Sequence, residues 1–132
     1  MQLAPYVFFD GTCEAAFSFY ADVLGGSIVE LNRYEGSPMA DDMPPEQHQW
    51  IMHATFEAPG IQLMGADGGD FGGEMTRVSL SLGSSDAEEG RRVFEALAAG
   101  GTITMPYAKQ FWGASFGMLI DRFAVKWMIN AG

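Results

Sequence analysis

The chain has 132 residues, the usual length of one domain, and 48% of them are hydrophobic, which allows a substantial core and excludes a disordered tail. Its 17 acidic residues against 7 basic ones oppose binding to nucleic acid or anionic membrane surfaces, because both partners attract clustered Lys and Arg. No segment approaches the roughly 18 apolar residues of a membrane span, and the first residues lack a secretory pattern, so we expect a soluble, cytoplasmic protein.

The first half of the sequence predicts a strand, a helix and three further strands. Thr12 is predicted to cap the helix, and Gly25-Gly26 to end it. Its apolar face consists of Ala16, Phe17, Tyr20 and Leu24. Strands are predicted at 5–9, from Ser27, near 50–57 and at 61–65, with a loop rich in Pro, Asp and Met at 36–49.

Cys13 is the only cysteine, which excludes an internal disulfide and a Cys-rich zinc motif. A helix start lowers the pKa of a thiol, so Cys13 is a candidate nucleophile. The alternative is a small packing residue, the commoner role of a lone cysteine.

The second half repeats this order of elements. A strand at 78–82 precedes a capping box at 85–88, a helix that presents Val93, Phe94 and Leu97, and Gly100-Gly101. Strands follow from Thr102, at 115–120 and at 125–130, the last two joined by a turn at 121–124 that Asp121 holds through backbone hydrogen bonds.

The repetition predicts an internal duplication. One constant shift superposes Phe19 on Phe94, Gly25-Gly26 on Gly100-Gly101, and Ile28 on Ile103. We therefore predict a single α+β domain of two βαβββ modules, at about 1–66 and 75–132, joined by a Gly-rich linker at about 67–74.

The two modules carry a set of short motifs along nearly the whole chain. The motifs are Pro5 to Gly11, Glu14-Ala15-Ala16, Phe19-Tyr20, His53, Leu63 to Asp67, Phe111-Trp112-Gly113, Asp121-Arg122-Phe123 and Trp127 to Asn130. The paired modules resemble the vicinal oxygen chelate superfamily, which includes glyoxalase I, bleomycin-resistance and fosfomycin-resistance proteins, and extradiol dioxygenases. The motifs resemble more narrowly the glyoxalase-like branch often labelled 3-demethylubiquinone methyltransferase, in which a glycine usually stands where this chain has Ala124. The resemblance implies a curved mixed sheet with a concave ligand cup, and a homodimer.

The resemblance also implies a divalent ion, held by one His, Glu or Gln from each of strands 1, 4, 5 and 8. Strand 1 has no such residue, and strand 8 has Met128 near the place where a glutamate is expected. Strand 4 offers Gln62, and strand 5 offers only Ser79 and Ser81, so we predict no metal at this site. Ligands from loops or from a partner chain, such as Glu74 with Gln62 and His53, remain the alternative.

A methyltransferase cofactor would require a Gly-rich turn between a strand and a helix. The Gly-rich segment 65–73 lies between two predicted strands and is interpreted as a linker. We therefore predict no cofactor.

His53 is the candidate catalytic residue. It alternates with Ile51 and Thr55 and is a candidate general base or hydrogen-bond partner of a ligand, or else a half-buried histidine bonded to the backbone. If the strand includes His48 as well, their odd separation places the two histidines on opposite faces, so that they cannot chelate one ion together.

The candidate ligand-binding residues are aromatic or polar and lie near strand ends or on the predicted cup, whereas Trp127 alternates with core residues and is assigned to the core. The candidates are Tyr6, Trp50, His53, Gln62, Met64, Asp67, Gln110, Phe111, Trp112 and Phe116.

Three functions fit this pattern. The first is a small-molecule-binding protein or metal-independent enzyme of glyoxalase-like fold. The second is a metal-dependent lyase, isomerase or dioxygenase, and the third is a resistance protein that sequesters an aromatic or cationic drug, to which the acidic surface would be attracted.

Overall fold

The computed structural model describes residues 1–68 and 77–132, which belong to two compact units, Met1–Phe71 and Gly72–Gly132. Each unit contains one α-helix and a four-stranded sheet in the order strand, helix, strand, strand, strand. The predicted α+β fold of two βαβββ modules is confirmed. Residues 69–74 of the predicted linker lie outside the described residues.

The first unit has the sheet order β1-β4-β3-β2, in which β1 and β4 are parallel and the other pairs antiparallel. β4 continues through Asp67, two residues beyond its predicted end. The linker therefore does not begin at about 67, as predicted, because this position still belongs to the strand. The predicted loop 36–49 contains two short 3-10 helices, which the sequence did not predict although each begins at a proline, a residue suited to a first helical turn. The elements are β1 (Tyr6–Phe9), α1 (Cys13–Leu24), β2 (Ser27–Arg33), the 3-10 helices Pro38–Asp42 and Pro45–Gln47, β3 (Ile51–Ala58) and β4 (Ile61–Asp67).

The second unit has the equivalent order β5-β8-β7-β6. β5 begins two residues later than predicted. The cap of α2 is Asp86 and not the predicted Ser85: its carboxylate accepts a hydrogen bond from the backbone N–H of Glu88, while its own N–H donates to Ser84 Oγ. No helix in the described ranges is long and apolar enough to cross a membrane. The elements are β5 (Leu80–Ser84), α2 (Ala87–Ala98), β6 (Thr102–Lys109), β7 (Ser115–Ile120) and β8 (Lys126–Ala131).

Each helix covers one face of its own sheet. In the first unit, the Phe17 ring lies 6.2 Å from the Phe56 ring, and Gly65 provides the space, since a Cβ atom there would lie 2.9 Å from Phe17. In the second unit, Phe94 of α2 and Trp127 of β8 are both buried. The opposite face of the first sheet is left for the polar residues described below.

The turn between β7 and β8 has the organisation that the sequence predicts. The Asp121 carboxylate accepts hydrogen bonds from the backbone N–H groups of Phe123 and Val125 and from the indole N–H of Trp127. Ala124 has φ +69°, a left-handed conformation that favours glycine. Asp121 therefore holds the turn, and Trp127 belongs to the core.

The two Gly-Gly pairs have the same geometry in both units. Gly25 and Gly100 follow the helices with φ +74° and +78°, a conformation that glycine adopts without strain. The second glycine of each pair, Gly26 or Gly101, lies against a main-chain oxygen of β3 or β7, with no room for a Cβ atom. The predicted duplication is therefore also a repeated backbone geometry.

Candidate functional site

A row of four side chains crosses the first sheet on the face opposite α1. The strand register pairs Tyr6 with Met64, Met64 with Thr55, and Thr55 with Glu30. Residues that are paired in this way project from the same face of a sheet. The row therefore contains one residue from each of the four strands.

His53 joins this row through hydrogen bonds to side chains. Its Nδ1 lies 2.9 Å from the Tyr6 hydroxyl, and its Nε2 lies 3.1 Å from both Glu30 Oε1 and Thr55 Oγ1. The Thr55 hydroxyl also donates to Glu30 Oε1 at 3.3 Å. These partners of the ring are all side chains. His53 is therefore interpreted as a member of a hydrogen-bonded chain of side chains, and not as a histidine bonded to the backbone.

The partners of His53 assign its tautomer. A carboxylate only accepts hydrogen bonds, so the neutral ring carries its proton on Nε2. The Nδ1 lone pair then accepts the hydroxyl proton of Tyr6. Burial raises the pKa of Tyr6 above its usual value, and the charges of Cys13, Tyr34 and Glu30 in their ionised forms raise it further, so the phenol is a donor at neutral pH.

Apolar groups surround this hydrogen-bonded chain. The Phe8 ring is 47% exposed and lies 5.1 Å from the Tyr6 ring, which is 41% exposed. Met64 is half-buried beside Tyr6, and Gln62 is exposed two residues earlier on the same face of β4. Four predicted site residues, Tyr6, His53, Gln62 and Met64, thus share one face.

Asp67 differs from its predicted place at the border of the cup. It is 2% exposed, and its two carboxylate oxygens accept hydrogen bonds from the backbone N–H groups of Cys13 and Ile51, each at 2.9 Å. Its main-chain oxygen accepts a hydrogen bond from the Tyr34 hydroxyl. Asp67 therefore caps α1, the role predicted for Thr12, whose side chain makes no capping hydrogen bond.

Cys13 is a packing residue. Its side chain is fully buried, and burial, together with the Asp67 and Glu14 carboxylates, raises the pKa of its thiol to about 12. These effects outweigh the helix dipole, which alone would lower the pKa. The interpretation of Cys13 as a nucleophile is therefore wrong.

The remaining aromatic candidates lie elsewhere. Trp50 is half-buried and packs over Gly11 in the loop between β1 and α1. In the second unit, Phe111 is 97% exposed and contacts Trp112, whose ring lies 5.9 Å from that of Phe116. Gln110 begins the same loop and bonds the main chain of Ala108. These second-unit residues form an aromatic cluster of their own.

The donors on the relevant strand faces do not fit the divalent ion that the superfamily implies. On the sheet faces opposite the helices, β1 and β4 offer Tyr6 and Gln62, while β5 and β8 offer Ser81, paired with Met128, and the amide of Asn130. Among the described residues no group of three His, Cys, Asp or Glu side chains could hold a metal ion, and Glu74 lies outside them. His48 bonds the main-chain oxygen of Met43, away from the partners of His53.

The sequence analysis missed Glu30 and Thr55. Strict alternation along β2 places Glu30 on the same face as Ile28, which pairs with Phe56 of the core. A β-bulge between Ile28 and Glu30 turns Glu30 to the other face, opposite Thr55. The alternation along the strand identified Thr55 only as a residue on the same face as His53. That shared face was the signal that could have placed Thr55 in the site.

Comparison with known proteins identifies the family. A family model described as 3-demethylubiquinone-9 3-methyltransferase matches residues 1–130. The chain belongs to this family. Protein YjdN of Escherichia coli (strain K12) is 34% identical over 139 residues, which cover 98% of this chain and 95% of YjdN.

Solved structures share the fold of this chain over nearly its whole length. Protein PA1353 from Pseudomonas aeruginosa matches with a TM-score of 0.87 and 38% identity, over 99% of this chain and 97% of that protein. The fosfomycin resistance protein FosX from Listeria monocytogenes shares the fold at 12% identity, with a TM-score of 0.68 over 100% of this chain and 93% of FosX. The chain therefore has the same fold as this fosfomycin resistance protein.

The family description names methyl transfer, yet the strand-to-helix turns do not fit a nucleoside cofactor. In the described ranges these turns are residues 10–12 and 85–86, and their only glycine is Gly11. A Gly-rich turn at this place would be needed to bring the backbone close to such a cofactor.

Proposed function

We propose that this chain is a glyoxalase-like small-molecule-binding protein, or a metal-independent enzyme, whose ligand lies on the face of the first sheet opposite α1. The hydrogen-bonded chain from Tyr6 through His53 to Glu30 carries this proposal. A few convergent polar groups within an apolar surface are typical of small-molecule sites. An imidazole that a carboxylate holds through one ring nitrogen is also suited to act as a general base through the other.

Each group has a separate task in this proposal. Phe8 and Met64 provide apolar contact, Tyr6 and Gln62 orient polar atoms of the ligand, and His53 is the general base. The aromatic cluster of the second unit, with Gln110, Phe111, Trp112 and Phe116 as its members, is proposed as a separate ligand-contact surface of that unit. We also propose a homodimer, for which sedimentation equilibrium should give twice the chain mass of 14.3 kDa, and a monomer mass would contradict it.

Native mass spectrometry of untagged protein purified from cell extract tests the ligand site. We expect a co-purified small molecule on the wild type and on His48→Ala, and its loss from His53→Ala. His48 is the matched control because it is the second histidine and bonds the backbone of Met43. Equal retention of the adduct by both variants, or its absence from the wild type, would contradict the site.

A metal-dependent lyase, isomerase or dioxygenase is the alternative that elemental analysis separates. Untagged protein dialysed against Mn²⁺ and Zn²⁺ should retain less than a stoichiometric amount of either ion, because the described donors do not provide a ligand set. One tightly held ion per chain would defeat the metal-independent proposal.

A second candidate function, sequestration of a cationic aromatic drug, is favoured by the charge of the first unit. Arg33 is the only basic residue in 1–68, and its guanidinium lies 3.0 Å from the Glu14 carboxylate. An acidic surface attracts cations. In thermal shift measurements, a cationic compound at a hundred times its dissociation constant should stabilise the fold by about 2.7 kcal/mol. Its neutral analogue at the same concentration should stabilise the fold less.

A further inference from the structure

We infer that Tyr6, His53 and Glu30 form a proton relay, in which Tyr6 is the ligand-facing end, His53 the proton acceptor and Glu30 a positioning residue. The inference rests on the proposed function, because it assigns the chemistry of the same site. It goes further by naming the substrate class, a small molecule with a removable proton on oxygen, on nitrogen, or on carbon beside a carbonyl group.

Glu30 determines which ring nitrogen of His53 is basic. Its Oε1 lies 3.1 Å from His53 Nε2, and the Thr55 hydroxyl, 3.1 Å from the same nitrogen, donates its own proton to Glu30. Both oxygens therefore serve as acceptors for one N–H group. The proton stays on Nε2, and Nδ1 is left as the basic nitrogen on the side of Tyr6.

Tyr6 is the member of the chain placed to receive the proton of a ligand. Its hydroxyl hydrogen points to His53 Nδ1 at 2.9 Å, so its oxygen lone pairs are directed away from the ring. The ring is partly exposed and lies beside Phe8, an apolar neighbour that can contact the carbon skeleton of a ligand. The ligand therefore meets the phenol oxygen before it meets the imidazole.

The transfer conserves atoms and charge. The ligand's proton forms a bond to Tyr6 Oη while the hydroxyl hydrogen of Tyr6 moves to His53 Nδ1, and the electron pair of the broken bond stays on the ligand. The products are a ligand anion, neutral Tyr6 and a His53 imidazolium next to the Glu30 carboxylate. The carboxylate lies 3.1 Å from Nε2, at the distance of a charge-assisted hydrogen bond to the imidazolium.

The test is ¹⁵N nuclear magnetic resonance of histidine-labelled protein, above the pH at which the ring becomes neutral. His53 in the wild type should show one tautomer, with the proton on Nε2 and hydrogen-bonded Nδ1. Tyr6→Phe should remove the hydrogen-bond shift at Nδ1, and Glu30→Gln should convert the single tautomer to a mixture. Glu57→Gln, an exposed carboxylate on β3, should leave the signals unchanged.

The measurement needs no ligand, so it separates the relay from the proposed function. A wild-type His53 with its proton on Nδ1, or a Glu30→Gln spectrum identical to the wild type, would overturn the relay even if a ligand co-purifies. Loss of the adduct from wild-type protein would instead count against the binding site. The wild-type spectrum decides the tautomer by itself, whether or not the variants fold.

Discussion

Single carboxylates organise both units at the residue scale. Asp67 binds the start of α1 and the start of β3 with its two oxygens, and Asp121 holds the turn between β7 and β8. Both side chains are buried, and the carboxylate oxygens of both accept hydrogen bonds from N–H groups. Buried charge of this kind is stable only while each oxygen keeps its donor.

Asp67→Asn should lower the free energy of unfolding by about 1 to 3 kcal/mol. An amide has one acceptor oxygen, so its NH₂ group would face the backbone N–H of Cys13 or Ile51. Urea denaturation followed by circular dichroism measures the change. Asp10→Asn, which alters an exposed carboxylate, is the control, and equal stability of the two variants would contradict the capping role.

The thiol of Cys13 should make the stability of the fold depend on alkaline pH. Its pKa is raised from 9.0 to about 12 by burial, so the unfolded chain releases this proton at lower pH than the folded chain. The contribution is therefore fully present below pH 9 and is lost progressively as pH rises toward 12, by up to about 1.4 kcal/mol per unit.

Urea denaturation at a series of pH values above 9 measures this slope, and Cys13→Ala should show a smaller one. Tyr34, whose pKa is also raised, is present in both proteins, so its effect cancels in the comparison. Tyr6 keeps the part of its raised pKa that burial causes, and loses only the part that the Cys13 charge adds. Parallel slopes for the wild type and the variant would exclude the thiol as the cause.

At this scale, the sequence predicted residues whose environment is local. Asp121 and Trp127 followed from the turn and from alternation, and His53 followed from alternation along β3. Glu30 and Asp67 depend on a β-bulge and on contacts between distant segments, which alternation within one strand does not contain. The sequence therefore predicted only a part of the hydrogen-bonded chain at the site.

At the scale of the elements, the duplication is most evident in the two Gly-Gly pairs. The sequence predicted most elements to within two residues because periodicity and glycine stops are local signals. The 3-10 helices were missed since proline, Asp and Met predicted only a loop. The pairing of each second glycine with a strand became visible only in three dimensions.

Gly26→Ala should cost about 3 kcal/mol of unfolding free energy, because the new Cβ atom would meet the main-chain oxygen of Glu57, and backbone moves less easily than a side chain. Gly25→Ala is the control within the same pair. It has open space around it and only the left-handed strain to bear, about 1 to 2 kcal/mol. Thermal denaturation should rank the two variants in this order, and the reverse order would refute the packing argument.

Ala124→Gly should stabilise the protein by roughly 1 kcal/mol, because φ +69° strains any residue with a Cβ atom. Ala99→Gly is a suitable control, since Ala99 is also exposed but has φ −60°. Chemical denaturation of both variants should show a gain for the first alone. A loss at Ala124 would mean that the turn gains more from the alanine methyl group than it loses through strain.

The whole molecule combines one repeated architecture with two unlike surfaces. The first unit carries the polar chain of Tyr6, His53 and Glu30, whereas the second carries the exposed aromatic cluster at Phe111, Trp112 and Phe116. The repeated framework was predictable because it depends on helix stops and apolar periodicity. The division of chemistry between the units was not, because it depends on single residues on faces that the core does not constrain.

We expect the contacts of the two buried aspartates to form at different stages of folding. Asp121 bonds groups two, four and six residues away, so its turn closes at small entropic cost. The partners of Asp67 lie 16 and 54 residues away, and they meet only after most of the first unit is in place. In stopped-flow experiments, Asp121→Asn should mainly slow folding and Asp67→Asn should mainly speed unfolding. We therefore expect the contacts of the carboxylate that caps α1 to form late in folding, and those of the carboxylate in the second unit to form early.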